Sequence, residues 1–423
     1  MSSWKLETKC LQEGYRPANG ETRVVPICQS TTYKYDSSEE VAMLFDRPDK
    51  GHIYSRISNP TNDALEKKIA ALEGGIGAML TASGQSATFV SIMNICQNGD
   101  HIVASSTLYG GTFNLLNVTF KKMGIDVTFI NQDDTEEEIQ KAFRPNTKIL
   151  FGESIANPKI SILDVEKFAR IAHKNGVPLF VDNTFATPIL LRPFEYGADV
   201  VVHSTTKYMD GHAVSVGGVV VDSGKFDWTS GKFACLTDPD PSYHGISYTE
   251  TFGNAAYIVK ARYQYMRDLG NNMSPMNAFL TNLGMETLHL RMERHCENAQ
   301  KVAEYLSQND KIISVSYPTL KSDKYYELAQ KYLPKGCSGV ISFRIKGGRE
   351  AAARFMNNLK LAAIVVHVAD ARTAVLHPAS MTHRQFTDEQ LFACGIEPDM
   401  IRFSVGIENV DDIIEDIRQA LEA

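Results

Sequence analysis

The sequence lacks the cysteine patterns that mark metal sites and disulfide frameworks. Its seven cysteines are scattered over 423 residues, and even the closest two, Cys10 and Cys28, are too far apart for a CxxC motif. Such spacing is typical of proteins kept in a reducing compartment. We therefore expect a cytoplasmic protein without a metal site.

Long apolar runs and an excess of positive charge are also missing. No stretch approaches the length of a membrane span, and the opening segment MSSWKLETKCLQEGYRP has no apolar signal core. The formal net charge is -7, which argues against a basic surface for polyanions. These absences predict that neither a membrane nor a nucleic acid is a partner.

The rest of the composition is that of a globular protein, with 43% hydrophobic and 22% charged residues in a chain long enough for two or three domains. Residues 1–50 show no sustained periodicity and predict an extended N-terminal arm. Residues 51–260 carry the pattern of a large α/β domain, and residues 261–423 that of a smaller α+β domain.

Short apolar runs alternate with helix-length segments in the large domain, which predicts βαβ units and a mainly parallel sheet. The runs are almost continuously apolar, as in strands covered on both faces. They are GAMLTAS, DHIVASS, DVTFI, TKILFGES, VPLFVDNT and ADVVVHS.

The C-terminal part begins with one long helical pattern over residues 274–309, which we expect to bend near Gly284. Three shorter apolar runs then predict strands, and the chain ends in an amphipathic helical pattern. In order, these segments are IISVSYP, GVISFRI, MIRFSVG and DDIIEDIRQALEA.

Polar side chains follow three of the predicted strands in the large domain. Asp182 comes directly after one run, and another leads through Ser204 and two threonines to Lys207. A third leads through Ser83 into a helix, whose first turn suits a phosphate. Ligands of open parallel sheets bind at the carboxyl ends of the strands, so these groups predict a site there.

Each of these features also has an ordinary structural explanation. An aspartate after a strand is usually a cap or turn residue, and hydroxyls at strand ends more often satisfy loops. Lys207 alone could extend its ammonium group to the surface. No strict GxGxxG or GxxxxGK[ST] motif is present in the sequence.

The combination is more informative than its parts. A desolvated lysine can act as an amine nucleophile, and a carboxylate can keep a pyridine nitrogen protonated. Hydroxyls and a helix N-terminus can hold a phosphate. These are the requirements of pyridoxal phosphate.

Eight segments of the chain together resemble the Cys/Met-metabolism family of fold-type-I pyridoxal-phosphate enzymes. The resemblance runs from about residue 5 to the C-terminus, in the order of the family. It implies an aminotransferase-like α/β fold: a mainly parallel seven-stranded sheet sandwiched by helices, with a smaller α+β C-terminal domain. The segments are YSRISNPTNDALEKKIAALEGG, TASGQSATF, LYGGTF, ESIANP, VDNTFATP, HSTTKYMDGH, HPASMTH and IRFSVGIEN.

The resemblance implies roles for residues around the cofactor ring. Lys207 would form the Schiff base and later move protons at the substrate carbons, while Asp182 would pair with the pyridinium nitrogen. Asn157 would reach the ring hydroxyl. Tyr109 would stack on the ring and serve as an acid, base or positioning group. Arg402 would bind the substrate α-carboxylate, a role suited to a guanidinium.

The same resemblance implies further residues that would bind the phosphate or the ring of the cofactor. Within one subunit, these cofactor-binding residues are Gly84, Gln85, Thr184, Ser204 and Thr206.

Tyr54 and Arg56 would reach the same phosphate from a neighbouring subunit. We therefore expect a homo-oligomer, a tetramer built of two active dimers. Without the family resemblance, Tyr109 would be read as a core aromatic residue and Arg402 as part of a salt bridge.

Within the family, the chain resembles the O-acetylhomoserine sulfhydrylases. This implies γ-replacement on O-acetyl-L-homoserine by sulfide or methanethiol. The alternatives are methionine γ-lyase, which typically carries a cysteine where Gly111 stands, and cystathionine γ-synthase or lyase. His367 falls where a small polar residue is usual. Outside the family, the remaining alternatives are a cofactor-binding protein without catalysis and a lysine enzyme that uses no pyridoxal.

Overall fold

Two β-sheets organise the computed structural model, which describes residues 4–47, 50–382, 384, 387, 389, 391 and 396–423. Cys394 and His383, the last residue of the HPASMTH segment, lie outside the described residues. The strands in chain order are β1 (Gly77–Thr81), β2 (His101–Ser105), β3 (Asp126–Ile130), β4 (Thr147–Glu153), β5 (Leu179–Asp182), β6 (Val200–His203), β7 (Gly218–Asp222), β8 (Ile312–Ser316), β9 (Val340–Ile345), β10 (Ala363–Ile364), β11 (Ala374–Leu376) and β12 (Met400–Ser404).

The first sheet has the strand order β1-β7-β6-β5-β4-β2-β3, and within it β7 runs antiparallel to both neighbours. The other neighbouring pairs are parallel. The six predicted runs are β1 to β6, which confirms the expected fold class. The sequence reading missed β7, because its run GVVVD follows a stretch rich in glycine and small residues.

Successive residues of the central strands pack into different hydrophobic clusters. Val103, Leu150 and Val181 belong to the cluster on one face of the sheet. Ile102 and Phe151 belong to the cluster on the other face. The sheet is therefore covered on both sides, which explains the continuously apolar strand sequences.

Helices cover these faces and connect the strands. The helix Pro60–Glu73 begins where Asn59 accepts a hydrogen bond from the backbone N–H of Thr61, and it ends at Gly74 in the left-handed conformation. The other helices of the first sheet are Gly84–Met93, Gly110–Asn114, Glu136–Gln140, Val165–Lys174, Thr187–Leu190, Ala234–Thr237, Tyr248–Phe252, Ala256–Lys260 and Arg267–Leu269. Short 3₁₀ segments are Pro193–Tyr196, Gly253–Ala255 and Pro378–Ser380, and π-helical segments are Leu115–Phe120 and Ala261–Met266.

The predicted N-terminal arm contains two short helices, Leu6–Gln12 and Ser38–Asp46. Both are too short for their periodicity to stand out in the sequence. The first helix is anchored to the large domain, because Lys9 Nζ donates to the Ala71 carbonyl at 3.1 Å. The arm is therefore only partly extended. The domain boundaries at residues 50 and 260 remain predictions.

The long C-terminal helical pattern forms two helices, Pro275–Glu286 and Leu288–Ser307, which meet at Thr287. Across the break, Arg291 Nη2 donates to the Gly284 carbonyl at 2.5 Å. The same guanidinium donates through Nη1 to the Tyr208 carbonyl at 2.8 Å. Arg291 thereby ties the second helix to the segment that follows Lys207.

The second sheet has the order β10-β11-β12-β9-β8. Three of its strands were predicted, whereas β10 and β11 are too short to give a sequence signal. The helices of this part that follow Leu288–Ser307 are Tyr326–Tyr332, Gly348–Asn358 and Val410–Glu422. Among the described helices, none combines the length and the apolar character needed to cross a membrane.

Candidate functional site

All but two of the predicted site residues line one cleft at the carboxyl ends of β4, β5 and β6. Neighbouring parallel strands bring Glu153 into register with Asp182 at this edge. The cleft also has walls from the loop after β10 and from β12. The predicted residues that line it are Gly84, Gln85, Tyr109, Asn157, Asp182, Thr184, Ser204, Thr206, Lys207 and Arg402.

Lys207 lies in a turn just after β6 and extends into the cleft. Its backbone N–H donates to the Ser204 carbonyl at 3.2 Å, and its own carbonyl accepts from Gly211 N–H at 2.7 Å. Burial, and to a smaller degree the charge of Arg402, lower the pKa of the Lys207 amine to about 8. A free amine is therefore accessible near neutral pH.

Asp182 occupies the end of β5, and its carboxylate is held from one side. Thr184 donates to Asp182 Oδ1 from its backbone N–H at 2.9 Å and from its hydroxyl at 2.5 Å. Burial raises the pKa of Asp182, and the Thr184 hydrogen bonds oppose that rise. Oδ2 accepts no hydrogen bond from the described part of the chain, so it can receive a donor in the cleft.

A buried network fixes these strand ends from behind. Glu73 Oε1 accepts from His203 Nε2 at 2.6 Å and from Asn183 Nδ2 at 3.0 Å. The Ser204 backbone N–H in turn donates to the Thr184 hydroxyl at 2.9 Å. The positions of the Asp182 carboxylate and of the turn to Lys207 are thus coupled.

The helix Gly84–Met93 points its N-terminus into the cleft. Ser83 caps it by accepting from Ser86 N–H at 3.1 Å. A Cβ atom on Gly84 would lie 2.6 Å from Ser204 Cβ, so only glycine lets the first turn approach Ser204 this closely. Unpaired N–H groups of a first turn beside a hydroxyl form a suitable anion site.

Thr206 lines the same part of the cleft but already has a partner. Its hydroxyl donates to the Gly217 carbonyl at 3.1 Å and accepts from Gly217 N–H at 3.0 Å. Its predicted contact with a phosphate remains a prediction.

Arg402 lies on β12, and its guanidinium is buried at the opposite wall. It donates to Asn157 Oδ1 at 3.4 Å and to the His367 carbonyl at 3.1 Å. Burial lowers its pKa to about 10, and among the described residues it has no carboxylate partner. A buried cation without a counter-ion favours the binding of an anion such as a carboxylate.

Tyr109 covers one side of the cleft and is 50% exposed. A Cβ on Gly111 would lie 2.5 Å from Tyr109 Cε1 and 2.7 Å from Gln85 Nε2. The absence of a side chain at position 111 therefore lets the Tyr109 ring lie in its observed place.

Glu153 is a site residue that the sequence reading missed. Its Oε1 accepts from the Tyr109 backbone N–H at 2.6 Å. Burial, together with the adjacent Asp182, raises the pKa of Glu153 well above its usual range. Its position at the end of the run TKILFGES was the available signal, since Asp182 was found by the same criterion.

Tyr54 and Arg56 do not reach this cleft. Both are exposed, and the Arg56 guanidinium lies over the Tyr54 ring, 5.1 Å from its centroid. They line a separate surface hollow with Asn272 and Ser274. Their predicted contact with the cofactor of a neighbouring subunit remains a prediction.

The groups in the cleft fit pyridoxal phosphate. Lys207 provides a buried amine for an aldehyde, and Asp182 Oδ2 provides an acceptor for a protonated ring nitrogen. The first turn at Gly84 and the Ser204 hydroxyl provide donors for a phosphate.

Comparison with known proteins agrees with this arrangement. The family model described as Cys/Met metabolism PLP-dependent enzyme matches residues 7–422. The O-acetyl-L-homoserine sulfhydrylase of Leptospira meyeri is 46% identical over 99% of this chain and 97% of its own. The homocysteine synthase of Schizosaccharomyces pombe is 46% identical over 100% of this chain and 99% of its own.

Solved structures show the same fold. A Campylobacter jejuni protein described as an O-acetylhomoserine (thiol)-lyase superposes with a TM-score of 0.96 at 38% identity, covering 99% of this chain and 100% of that one. Its structure contains N'-pyridoxyl-lysine-5'-monophosphate. The structure of metB from Corynebacterium glutamicum gives a TM-score of 0.85 at 33% identity, covering 99% and 98% of the two chains.

The raised pKa of Glu153 predicts that Glu153→Gln is tolerated. Because the folded state holds this proton more tightly than the unfolded state, wild-type stability falls as pH rises above the ordinary value of 4.5. The glutamine variant lacks that loss, so its free energy of unfolding should increase relative to that of wild type as pH rises above 4.5.

Denaturant titrations across this range measure the difference. Glu153→Ala, the matched comparison, leaves the Tyr109 N–H without its acceptor and should cost about 0.5–1.5 kcal/mol. If the difference in free energy of unfolding between wild type and Glu153→Gln does not change with pH, the raised pKa of Glu153 is contradicted.

Proposed function

Because the chain belongs to the Cys/Met metabolism family of PLP-dependent enzymes, we propose that it catalyses γ-replacement on O-acetyl-L-homoserine. Sulfide or methanethiol is the second substrate, and the products are acetate and L-homocysteine or methionine. The names of the relatives at 43–46% identity support the substrates. The structural observation that carries the proposal is the buried Arg402 guanidinium, which has no described carboxylate partner, in the same cleft as Lys207.

The predicted cofactor, pyridoxal phosphate, is confirmed by the family. When bound, it supplies a sink for the electron pair released at the substrate α-carbon. We propose that Lys207 would hold it through its aldehyde group and that Asp182 would hold its ring nitrogen. Asn157 would hold the ring hydroxyl, and Tyr109 would hold the ring from one side.

The phosphate is held by the first turn of the helix that begins at Gly84. The residues that bind it or support its site are Gly84, Gln85, Thr184, Ser204 and Thr206.

Two side chains act on the substrate, one by binding its carboxylate and the other by moving its protons. Arg402 binds the α-carboxylate and so fixes the α-carbon beside the Lys207 amine. Lys207 would accept the α-proton, give it up again within the site and, once more a free amine, accept a β-proton; it would return protons to both carbons at the end. Between these events, the Cγ–O bond breaks with loss of acetate, and a Cγ–S bond forms with sulfide.

Position 111 differs from the γ-lyase alternative, since γ-lyases typically carry a cysteine where Gly111 stands. A cysteine there would bring its Cβ to 2.5 Å from the Tyr109 ring, so the ring would have to move. Cystathionine synthesis or cleavage would use the same cleft with a larger thiol. The assay below distinguishes these activities.

We also propose that the active form is a homotetramer of two active dimers, located in the cytoplasm. Tyr54 and Arg56 support the shared site, because they are exposed and lie outside the cleft of their own chain. The scattered cysteines, which are unpaired in the described part of the chain, support the compartment.

Borohydride should trap the cofactor on Lys207. We expect the visible absorption band of the holoenzyme to disappear on treatment, because reduction of a C=N bond gives a stable secondary amine. Peptide mass spectrometry should then locate the adduct. Lys207→Ala serves as the control and should carry none, and an unmodified Lys207 in treated wild type would contradict the proposal.

Purified enzyme should form homocysteine and acetate from O-acetylhomoserine and sulfide. Turnover across acetyl-, succinyl- and phosphohomoserine, each with sulfide, methanethiol or cysteine, gives the preferred pair. Failure to form homocysteine, together with release of methanethiol from methionine, would assign the γ-lyase reaction instead. Cystathionine formed from cysteine would assign the synthase.

Mixed subunits should recover activity if the site is shared. Lys207→Ala and Arg56→Ala subunits are each expected to be inactive, but each hybrid dimer contains one site with both wild-type residues. Activity is measured after mixing and refolding, with formation of hybrids checked by mass spectrometry. Hybrids that stay inactive would count against a shared site.

A further inference from the structure

Glu153 joins two segments that border the cleft. Its Oε1 accepts from the Tyr109 backbone N–H at 2.6 Å. The backbone N–H of Asn157 also stabilises the charged form of the Glu153 carboxyl, and so opposes the rise of its pKa. One buried side chain therefore contacts the backbones of two residues that are proposed to hold the cofactor ring.

Glu153 also lies beside the residue that is proposed to hold the ring nitrogen. It is paired with Asp182 across the neighbouring strands β4 and β5. Residues in register on parallel strands direct their side chains to the same face of the sheet, and both of these side chains line the cleft. Glu153 is thus adjacent to all three proposed contacts of the ring.

An ion pair does not explain the burial of Glu153. The two other buried glutamates in the described part of the chain have basic partners, since Glu66 pairs with Arg262 and Glu73 with His203, each at 2.6 Å. Glu153 has no such partner among the described residues. Its hydrogen bonds go to the backbone around the cleft instead.

The carboxyl groups of Glu153 and Asp182 share a buried region, and charging both there is costly. Two hydrogen bonds from Thr184 stabilise the charge on Asp182. Burial and the adjacent Asp182 raise the pKa of Glu153 well above its usual range. The proton therefore lies on Glu153, and a protonated carboxyl can still accept hydrogen bonds from backbone N–H groups.

We propose that Glu153 positions Tyr109 and Asn157 around the ring of pyridoxal phosphate. It does so as a neutral carboxyl, which leaves Asp182 as the charged group that faces the ring nitrogen. Glu153 acts through these neighbours and is therefore a positioning residue. This inference rests on the cofactor contacts of the proposed function.

Two substitutions at position 153 separate the hydrogen bonds from the charge. Glu153→Met keeps an unbranched side chain without a strong acceptor, whereas Glu153→Gln keeps an acceptor without a charge. By equilibrium dialysis of the full-length enzyme, the methionine variant should bind pyridoxal phosphate about 10-fold more weakly than wild type, because two backbone N–H groups lose their acceptor. The glutamine variant should stay within about twofold of wild type.

The visible circular dichroism of the bound cofactor gives a second readout. Free pyridoxal phosphate is achiral, so the band reports how the protein holds the ring. We expect Glu153→Gln to retain the wild-type band and Glu153→Met to lose most of it at saturating cofactor.

Thr147→Val is the matched structural control. Thr147 begins the same strand, accepts from the Arg144 backbone N–H at 2.8 Å, and does not line the cleft. Denaturant titration should show a loss of stability comparable to that of Glu153→Met. The affinity for pyridoxal phosphate and the circular dichroism band should both remain those of wild type.

The outcomes separate the inference from the proposed function. A methionine variant with wild-type affinity and a wild-type band overturns the inference, and so does a glutamine variant as impaired as the methionine one. Equal impairment of Thr147→Val also overturns it, since the effect would then follow from stability alone. Wild-type enzyme that binds the cofactor but forms no homocysteine overturns the proposed reaction and leaves the inference standing.

Two measurements do not depend on the folding of Glu153→Met. In wild-type enzyme labelled with ¹⁵N-tyrosine, the Tyr109 N–H signal, identified by its loss in Tyr109→Phe, should resist exchange with D₂O both with and without cofactor. Exchange at the rate of an unstructured amide would overturn the inference. The ratio of cofactor affinities of wild type and Glu153→Gln should not change with pH around neutrality, since neither side chain is charged there, and a ratio that changes would overturn the neutral carboxyl.

Discussion

The site depends on the burial of four ionisable groups in one cleft. Burial shifts each group toward its neutral form: the pKa values of Lys207 and Arg402 fall, and those of Asp182 and Glu153 rise. The structure offsets part of this cost with directed hydrogen bonds, such as those from Thr184 to Asp182. The remaining free-energy cost of burying these charges falls when a charged cofactor and a substrate carboxylate bind. The desolvation that destabilises the free site therefore favours the binding of its ligands.

The sheet makes such burial possible because it brings distant residues to one edge. The register between β4 and β5 places Glu153 beside Asp182. The next strand, β6, pairs with β5 and leads into the turn that carries Lys207. Close approaches then depend on glycine: a Cβ on Gly218 would lie 2.3 Å from the Ser83 carbonyl oxygen. The second sheet adds Arg402 from β12 and His367 from the loop between β10 and β11. The cleft is therefore formed by both sheets, and neither provides all of its charged groups.

The sequence predicted those features that depend on local pattern. Continuous apolar runs identified β1 to β6, and residues at their ends identified Asp182 and Lys207. Strand β10 was missed because it has only two residues. Glu153 was missed although it ends an apolar run as Asp182 does, because its place beside Asp182 becomes clear only from the register of β4 with β5. The break at Thr287 was not located, because the helical periodicity of the sequence continues across it. The roles of Tyr54 and Arg56 concern a second subunit and stay predictions.

Similar surroundings give Lys207 and Arg402 different roles because their ordinary pKa values differ. The lysine falls from 10.5 to about 8, and the arginine from 12.5 to about 10. Near neutral pH, roughly a tenth of the lysine is then a free amine, whereas about one arginine in a thousand is neutral. Arg402 therefore keeps its charge and can anchor a carboxylate throughout the reaction. Lys207 is close enough to neutrality to gain and lose protons during the reaction.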